Sequence, residues 1–352
     1  MKFTGKSTLT TTLSILLLST ATTIAKRSLR SPLFSTTRLF SMSKKARLFN
    51  HNEARVALCQ IHVTTDKTKN LQHMEELVTS AVQSSEKPVD IVVLPEVWNS
   101  PYGTSFFPVY AENVPSVLQA PSTELHPSVS KLCALAQSLG VWIVGGSIPE
   151  CEDVLVEGQT ETKRLLFNTC VIVNNEGTIV GKHRKIHLFD IDIPGKMTFK
   201  ESDSLTAGKH VTVVDTPWGK LGVGICYDMR FPELGMLMRQ RGCRFLIYPG
   251  AFNMVTGPLH WELLQKSRAV DNQLYVMACS PARDTTAGYV AWGHSSVISP
   301  WGDVVSKAGA EEEVIYADLD FGKVTDMRAN IPVSNQKRLD VYKLVDYEVE
   351  KE

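Results

Sequence analysis

Short runs rich in Val, Ile and Leu recur between Arg55 and Leu319, separated by stretches of mixed polarity. Residues 55–63, 90–94, 141–148, 169–173, 220–225, 244–248, 274–279, 295–299 and 313–319 read as strands. They are short, and turn signals such as Asn175-Glu176-Gly177 and Pro300-Trp301-Gly302 bound them. Residues 68–84, 122–139, 232–241 and 258–272 read as helices. In the first, Leu71, Met74, Leu77, Val78 and Val82 approximate one helical face. The polar stretch 150–164 reads as an exposed hairpin loop. Strands alternating with helices predict a single layered α/β domain over residues 54–345, followed by a short tail, 346–352. No Pro/Gly/Ser-rich linker divides the domain, and no repeat of about 20–50 residues is evident.

The first fifty residues differ from this body. Residues 1–52 contain nine Lys/Arg and neither Asp nor Glu, and they are rich in Ser and Thr. The apolar run Leu13–Leu18 is far shorter than the roughly 20 residues that span a bilayer, and no later run is long enough. Residues 1–50 therefore read as a transit segment for a mitochondrion or plastid. A secretory signal is the competing reading, since Lys2 and Lys6 precede the apolar run. A start at Met42 would give a cytoplasmic form. Lys plus Arg and Asp plus Glu are 37 each, so the body without its basic leader is mildly acidic. That balance excludes a general nucleic-acid binder, which needs a basic surplus to neutralise phosphates. Cys59, Cys133, Cys151, Cys170, Cys226, Cys243 and Cys279 are odd in number and contain no C-x-x-C. They predict mostly buried thiols in a reducing compartment rather than a disulfide framework or structural zinc.

Three local sequences carry candidate chemistry. Asp90-Ile-Val-Val-Leu-Pro-Glu96 is an apolar strand that ends on a carboxylate. Lys182-His-Arg-Lys185-Ile-His-Leu-Phe-Asp190 is a basic cluster. Leu221-Gly-Val-Gly-Ile-Cys226-Tyr-Asp228 is an apolar strand that ends on a thiol, just ahead of the helix at Pro232. Catalytic groups gather where strands of an α/β sheet end, and a strand–turn–helix around Cys226 has the shape of a nucleophile elbow. His183 and His187 have a metal-compatible spacing, but no Glu stands at the H-E-x-x-H position and their neighbours are cationic, so no metal site is expected.

Together these segments resemble the carbon–nitrogen hydrolase (nitrilase) superfamily, with its Glu–Lys–Cys order, over nearly the whole body. The closest likeness within it is to the omega-amidases. It rests on Trp98-Asn-Ser-Pro-Tyr102-Gly103, Gly145-Gly-Ser-Ile-Pro-Glu150, His183 through Lys196, Tyr248-Pro-Gly-Ala-Phe-Asn253, Thr256 through Leu264, Arg268 through Gln273 and Ser280-Pro-Ala-Arg-Asp284. The resemblance implies a four-layer αββα sandwich, usually a homodimer, without a cofactor. It implies Cys226 as nucleophile, Glu96 as general base and acid, and Lys185 with the backbone N–H of Tyr227 as oxyanion donors. Glu201, sixteen residues after Lys185, matches the family's supporting Glu. Lys185 is also expected to favour the thiolate by its charge.

The substrate implied is a small amide, the terminal amide of 2-oxoglutaramate or 2-oxosuccinamate. Its far carboxylate suits an Arg. Arg230 either grips that carboxylate or pairs with Asp228 or Glu233 to brace the turn. Tyr102, Phe106, Phe252 and Asn253 are implied as pocket walls. Two departures stand out: the stretch from Pro149 to Asn168 is longer than the family's short hairpin, and Phe167 stands where Tyr is common.

Overall fold

The computed structural model describes residues 49–155, 161–195 and 197–349. The expected leader, up to residue 48, and Lys196 lie outside the described residues. The strands are β1 (Glu53–Gln60), β2 (Ile91–Val93), β3 (Trp142–Val144), β4 (Ile148–Leu155), β5 (Thr162–Val173), β6 (Ile179–Arg184), β7 (Asp190–Ile193), β8 (Met197–Lys200), β9 (Thr212–Thr216), β10 (Gly219–Val223), β11 (Cys243–Pro249), β12 (Tyr275–Cys279), β13 (Ser296–Ile298), β14 (Val304–Lys307) and β15 (Glu313–Asp320). The helices are α1 (Lys67–Gln83), α2 (Phe107–Tyr110), α3 (Pro127–Leu139), α4 (Pro232–Gln240), α5 (Gly257–Asn272) and α6 (Gly322–Asn330).

One sheet runs β15-β1-β2-β3-β5-β4, with β6 on β5, and a second runs β14-β13-β12-β11-β10-β9. In the first, β1, β2 and β3 are parallel; in the second, β10, β11 and β12 are parallel. Alternate residues divide between the faces of each strand. Val56, Leu58, Ile91 and Val93 of the first sheet share a core with Val223, Ile247 and Met277 of the second. Ala57, Cys59, Val92 and Ile143 face the other way and pack against α1 and α3. Helices α4 and α5 cover the outer face of the second sheet. The result is the expected four-layer αββα sandwich.

Local chemistry explains the boundaries. Asp66 caps α1 by accepting from the amides of Thr68 and Lys69, and the buried stripe Leu71, Met74, Val78 and Ala81 follows. Met74 and Val78 are fully enclosed and contribute roughly 1.5–3 kcal/mol each by apolar burial. Helix α3 starts at Pro127 rather than 122, because proline suits the first helical turn and has no amide to lose there. It ends on Gly140 in the left-handed region.

Two readings of the sequence need correction. Residues 141–148 are not one strand: Gly145–Ser147 interrupt them. Gly146 has φ 62, and a Cβ there would lie 2.2 Å from the Pro95 carbonyl oxygen, so the chain turns aside where only glycine fits. Within the stretch 150–164, residues 150–155 and 162–164 are not loop but the paired arms of β4 and β5, which run in register from Ile148 opposite Thr169 to Leu155 opposite Thr162; residues 156–160 lie outside the described residues. Glu150 is buried at the base of the arms, whereas Asp153, Lys163 and Arg164 are exposed. The described end of the tail is docked as well, since Asp346 and Glu348 both hold the Arg241 guanidinium. Among the described residues no helix is long and apolar enough to cross a membrane.

Candidate active site

The C-terminal ends of β2, β10 and β11 converge, and each delivers one part of the site. After β2 the chain passes Leu94 and Pro95 to Glu96, then Val97 with φ 52. A left-handed backbone is costly for a β-branched residue. It is held here by the Ser147 hydroxyl, which accepts from the Val97 amide at 3.0 Å. After β10, Cys226 itself has φ 46 and opens a 3-10 turn over Cys226–Arg230. Both strands therefore end in a strained turn that aims a functional side chain inward. The elbow shape expected at Cys226 is present.

The basic cluster is sorted by burial. Lys182 and Arg184 lie on one side of β6 and both bind the buried Glu150 carboxylate, at 2.5 and 2.6 Å. The Arg184 guanidinium also lies 3.7 Å from the Phe167 ring centre, so that departure sits apart from the Cys226 site. His183 and His187 each give a ring nitrogen to Asp228, at 3.0 and 2.8 Å. The Ile225 amide donates to the same carboxylate. Burial would raise the Asp228 pKa, but the two histidines and this amide hold it well below the usual carboxylate range. Asp228 thus braces the elbow through His183 and His187, not through Arg230.

Lys185 remains, wholly enclosed. Its ammonium lies 3.0 Å from Glu96 Oε1 and 2.8 Å from Glu201 Oε2. Glu201 follows β8 and also accepts from the Tyr102 hydroxyl at 2.6 Å and the Phe189 amide at 2.7 Å. Glu96 accepts from Asn168 Nδ2 at 2.9 Å and from the Ala251 amide at 2.8 Å. Cys226 lies beside Glu96, close enough for each to shift the other's pKa. The Tyr227 amide lies in the first turn of the 3-10 helix, where amides lack partners within the helix.

Two carboxylates face one ammonium in this buried cluster. Burial pushes the Lys185 pKa down, but Glu201 and Glu96 more than offset this and hold it well above its ordinary value. Burial raises Glu96 above the ordinary carboxylate value; Lys185 opposes the rise and Glu201 adds to it. Burial and the Glu96 charge push the Cys226 thiol well above 9.0, against the pull of Lys185. Lys185 thus favours the thiolate by its charge, as expected, but burial and the Glu96 charge outweigh it. Ionising the thiol would add a further negative charge to a buried site.

The other implied residues fall around this cluster. Tyr102 and Phe106 line a cleft of about 410 Å³ that reaches Glu96. Phe252, Asn253 and Arg230 line a void of about 10 Å³ beside Cys226. Asn253 Oδ1 also accepts from the amides of Val255 and Thr256, fixing the entry to α5. The Arg230 guanidinium stacks over Phe252 at 4.7 Å and meets His260 Nδ1 at 3.2 Å. Among the described residues it has no carboxylate partner, so the pairing with Asp228 or Glu233 does not form. Sequence reading missed Asn168, Ala251 and Tyr289. The one available signal was Asn168, an amide side chain within the mostly apolar run Leu165–Val173.

An αββα sandwich whose strand ends bring together Glu, Lys and Cys defines a carbon–nitrogen hydrolase. The chain belongs to that family: residues 55–329 match the carbon-nitrogen hydrolase profile. It is 51% identical over 288 residues to an omega-amidase NIT2 of Danio rerio, covering 82% of this chain and 96% of the relative. It is 45% identical over 340 residues to a chloroplastic omega-amidase of Arabidopsis thaliana, covering 92% of this chain and 87% of the relative. The crystal structure of Saccharomyces cerevisiae Nit3, of the nitrilase superfamily, superposes with a TM-score of 0.71 at 44% identity, covering 82% of this chain and 97% of that one.

Proposed function

We propose that the protein is an omega-amidase, which hydrolyses the terminal amide of 2-oxoglutaramate or 2-oxosuccinamate to the 2-oxo dicarboxylic acid and ammonia. Its similarity to relatives bearing that name supports the reaction. One observation carries the substrate class: the half-buried Arg230, without a carboxylate of its own, shares a small pocket with Cys226.

Catalysis starts from the neutral thiol. Glu96 takes the Cys226 proton as the sulfur attacks the amide carbon, so no free thiolate builds up. Proton transfer inside the step is what a base with a raised pKa does well. Lys185 and the Tyr227 amide stabilise the oxyanion. Glu96 returns the proton to the leaving nitrogen, ammonia departs, and a thioester remains on Cys226. Water then gives a proton to Glu96 and its oxygen to the acyl carbon, releasing the acid and restoring the thiol. Glu201 keeps Lys185 charged and in place, and Tyr102 holds Glu201.

A panel of amides tests this reading. The enzyme is expected to prefer 2-oxoglutaramate and 2-oxosuccinamate over neutral amides of equal length and over nitriles, with ammonia release as the measure. A buried charge-assisted bond is worth about 1.5–3 kcal/mol, so Arg230→Lys should lower kcat/KM for the acidic substrates by about ten- to a hundredfold. It should spare the neutral ones. Equal turnover of acidic and neutral amides by the unmutated enzyme would exclude the omega-amidase reading.

The proposal extends to the leader and the assembly. The acid-free residues 1–52 and the likeness to a chloroplastic relative support import into a plastid or mitochondrion. Leu259 and Leu263, exposed on α5, support a homodimer. Protein recovered from the organelle should begin between about residues 25 and 50 and show the mass of two chains in solution. Purely cytosolic fluorescence from a fusion of residues 1–50 to a reporter would refute the import.

A further inference from the structure

Two spaces meet the catalytic cluster from different sides. One is the cleft of about 410 Å³, which reaches Glu96 and opens past Tyr102 and Phe106. The other is the void of about 10 Å³ at Cys226, bounded by Arg230, Phe252 and Phe189. Tyr289 and Ala251 line both spaces, so they are the wall between them. Ala251 contributes backbone and a methyl group. The bulk of the wall is the Tyr289 ring.

That ring is firmly fixed. Its hydroxyl donates to the Ala251 carbonyl oxygen at 2.6 Å. Its ring centre lies 4.4 Å from that of Tyr102 and 6.0 Å from that of Phe199. The backbone beyond it is tied to the same wall, since Asn253 and Ala291 form an isolated antiparallel bridge and the Trp292 amide donates to the Phe252 carbonyl. Residues 285–288, just before Tyr289, are by contrast exposed. A protein interior closes around voids this small, and an aromatic held by a hydrogen bond and two ring contacts does not yield easily.

We propose that Tyr289 sets the longest acyl chain the enzyme accepts. This rests on the amidase reading above, in which a monoamide is held between Cys226 and Arg230. Cys226 and Arg230 lie at the two ends of one short 3-10 turn, and the Arg230 guanidinium is held over Phe252 and beside His260, which limits the distance the two span. A chain longer than that span must bow outward, and on the cleft side it meets the Tyr289 ring. Removing the ring joins the void to the large cleft and gives the bow somewhere to go. Tyr289 is thus a specificity residue for chain length, whereas Arg230 serves charge.

The test compares kcat/KM for succinamate, glutaramate, adipamate and suberamate with the wild type, Tyr289→Phe, Tyr289→Leu and Tyr289→Ala. The wild type should fall steeply along the series. Tyr289→Phe keeps the ring and should keep that slope even if its overall rate drops. Tyr289→Ala should raise the suberamate-to-succinamate ratio at least about tenfold, the scale of discrimination a few methylenes supply. Tyr289→Leu should lie between and stands in for the alanine variant if that does not fold. An unchanged ratio in the truncated variants, or an equal loss on all four amides, would overturn the proposal. Alkylation of Cys226 by iodoacetamide and by N-hexyl iodoacetamide reads the same wall without turnover. Truncating Tyr289 should speed only the longer reagent relative to the shorter, and an unchanged reagent ratio would overturn the proposal. If the wild type turns over neither these four amides nor 2-oxoglutaramate, the omega-amidase reading fails while the alkylation arm still decides the role of Tyr289.

Discussion

Cys226→Ala is expected to abolish amide hydrolysis, lowering kcat by roughly four to six orders of magnitude, the scale seen when a nucleophile is removed from a group of residues that act as a unit. The protein should stay folded. Alanine removes one sulfur from a site whose strain comes from the Cys226 backbone, at φ 46, and not from the side chain. Cys226→Ser should be almost as inactive, because a serine hydroxyl is far less acidic and the site already opposes ionisation of the thiol. Steady-state ammonia release together with a thermal melt checks both halves. Activity in the alanine variant above about one-hundredth of wild type would remove Cys226 from its assigned role.

The second large effect is at Lys185. Lys185→Met removes the ammonium that bridges two enclosed carboxylates, Glu96 and Glu201. Activity should fall by roughly a thousandfold or more through loss of oxyanion stabilisation. Folding should also lose about 3–5 kcal/mol, the cost of breaking a buried pair from one side. The pH dependence separates this from simple loss of packing. In the wild type the raised Lys185 pKa means its contribution is complete at neutral pH and is lost only as the pH rises through that high value. In the variant Glu96 keeps the neighbouring Glu201 charge but loses the ammonium that opposed the rise, so its already raised pKa rises further. A raised carboxyl pKa stabilises below its unfolded value and loses that contribution as pH rises through the folded one. The melting temperature of Lys185→Met, relative to wild type, should therefore recover near pH 5 and fall toward pH 8. A pH-independent deficit would contradict this.

The pieces of the site that lie at strand ends were legible before any coordinates. Glu96 and Cys226 each close an apolar run, and such runs predict strands whose ends hold chemistry. Lys185 was picked from its basic neighbours by resemblance, and the reason became physical only when Glu150 was seen to occupy Lys182 and Arg184. The groups that hold the Glu96 carboxylate were not legible. Asn168 lies 72 positions away and Ala251 155 positions away, and the Ala251 contribution is a backbone amide that no residue type announces. The left-handed turn at Val97 was also hidden, since nothing in a valine signals positive φ. In the fold, β6 to β9, β14, α2 and α6 have no counterpart in the sequence reading. Strand β14 is largely exposed, and α6 buries only Val324 and Met327, so neither has a clear periodic signature. The β4–β5 hairpin was read as loop because its outer half carries charge on both faces.

These elements share one logic. Burial raises the pKa of both acid groups that exchange the proton, Glu96 and Cys226, while Lys185 keeps the oxyanion site charged. In the mechanism proposed above, the nucleophile is therefore made during attack, with Cys226 acylated in the same step. The measurement that tests this most directly is rapid-quench mass spectrometry of the enzyme during turnover of 2-oxoglutaramate, with the adduct mapped by proteolysis. The expected result is a single acyl adduct on Cys226, with the mass of the substrate less ammonia, that disappears as hydrolysis completes. An adduct on any other residue, or turnover at full rate with no adduct at Cys226, would contradict the account.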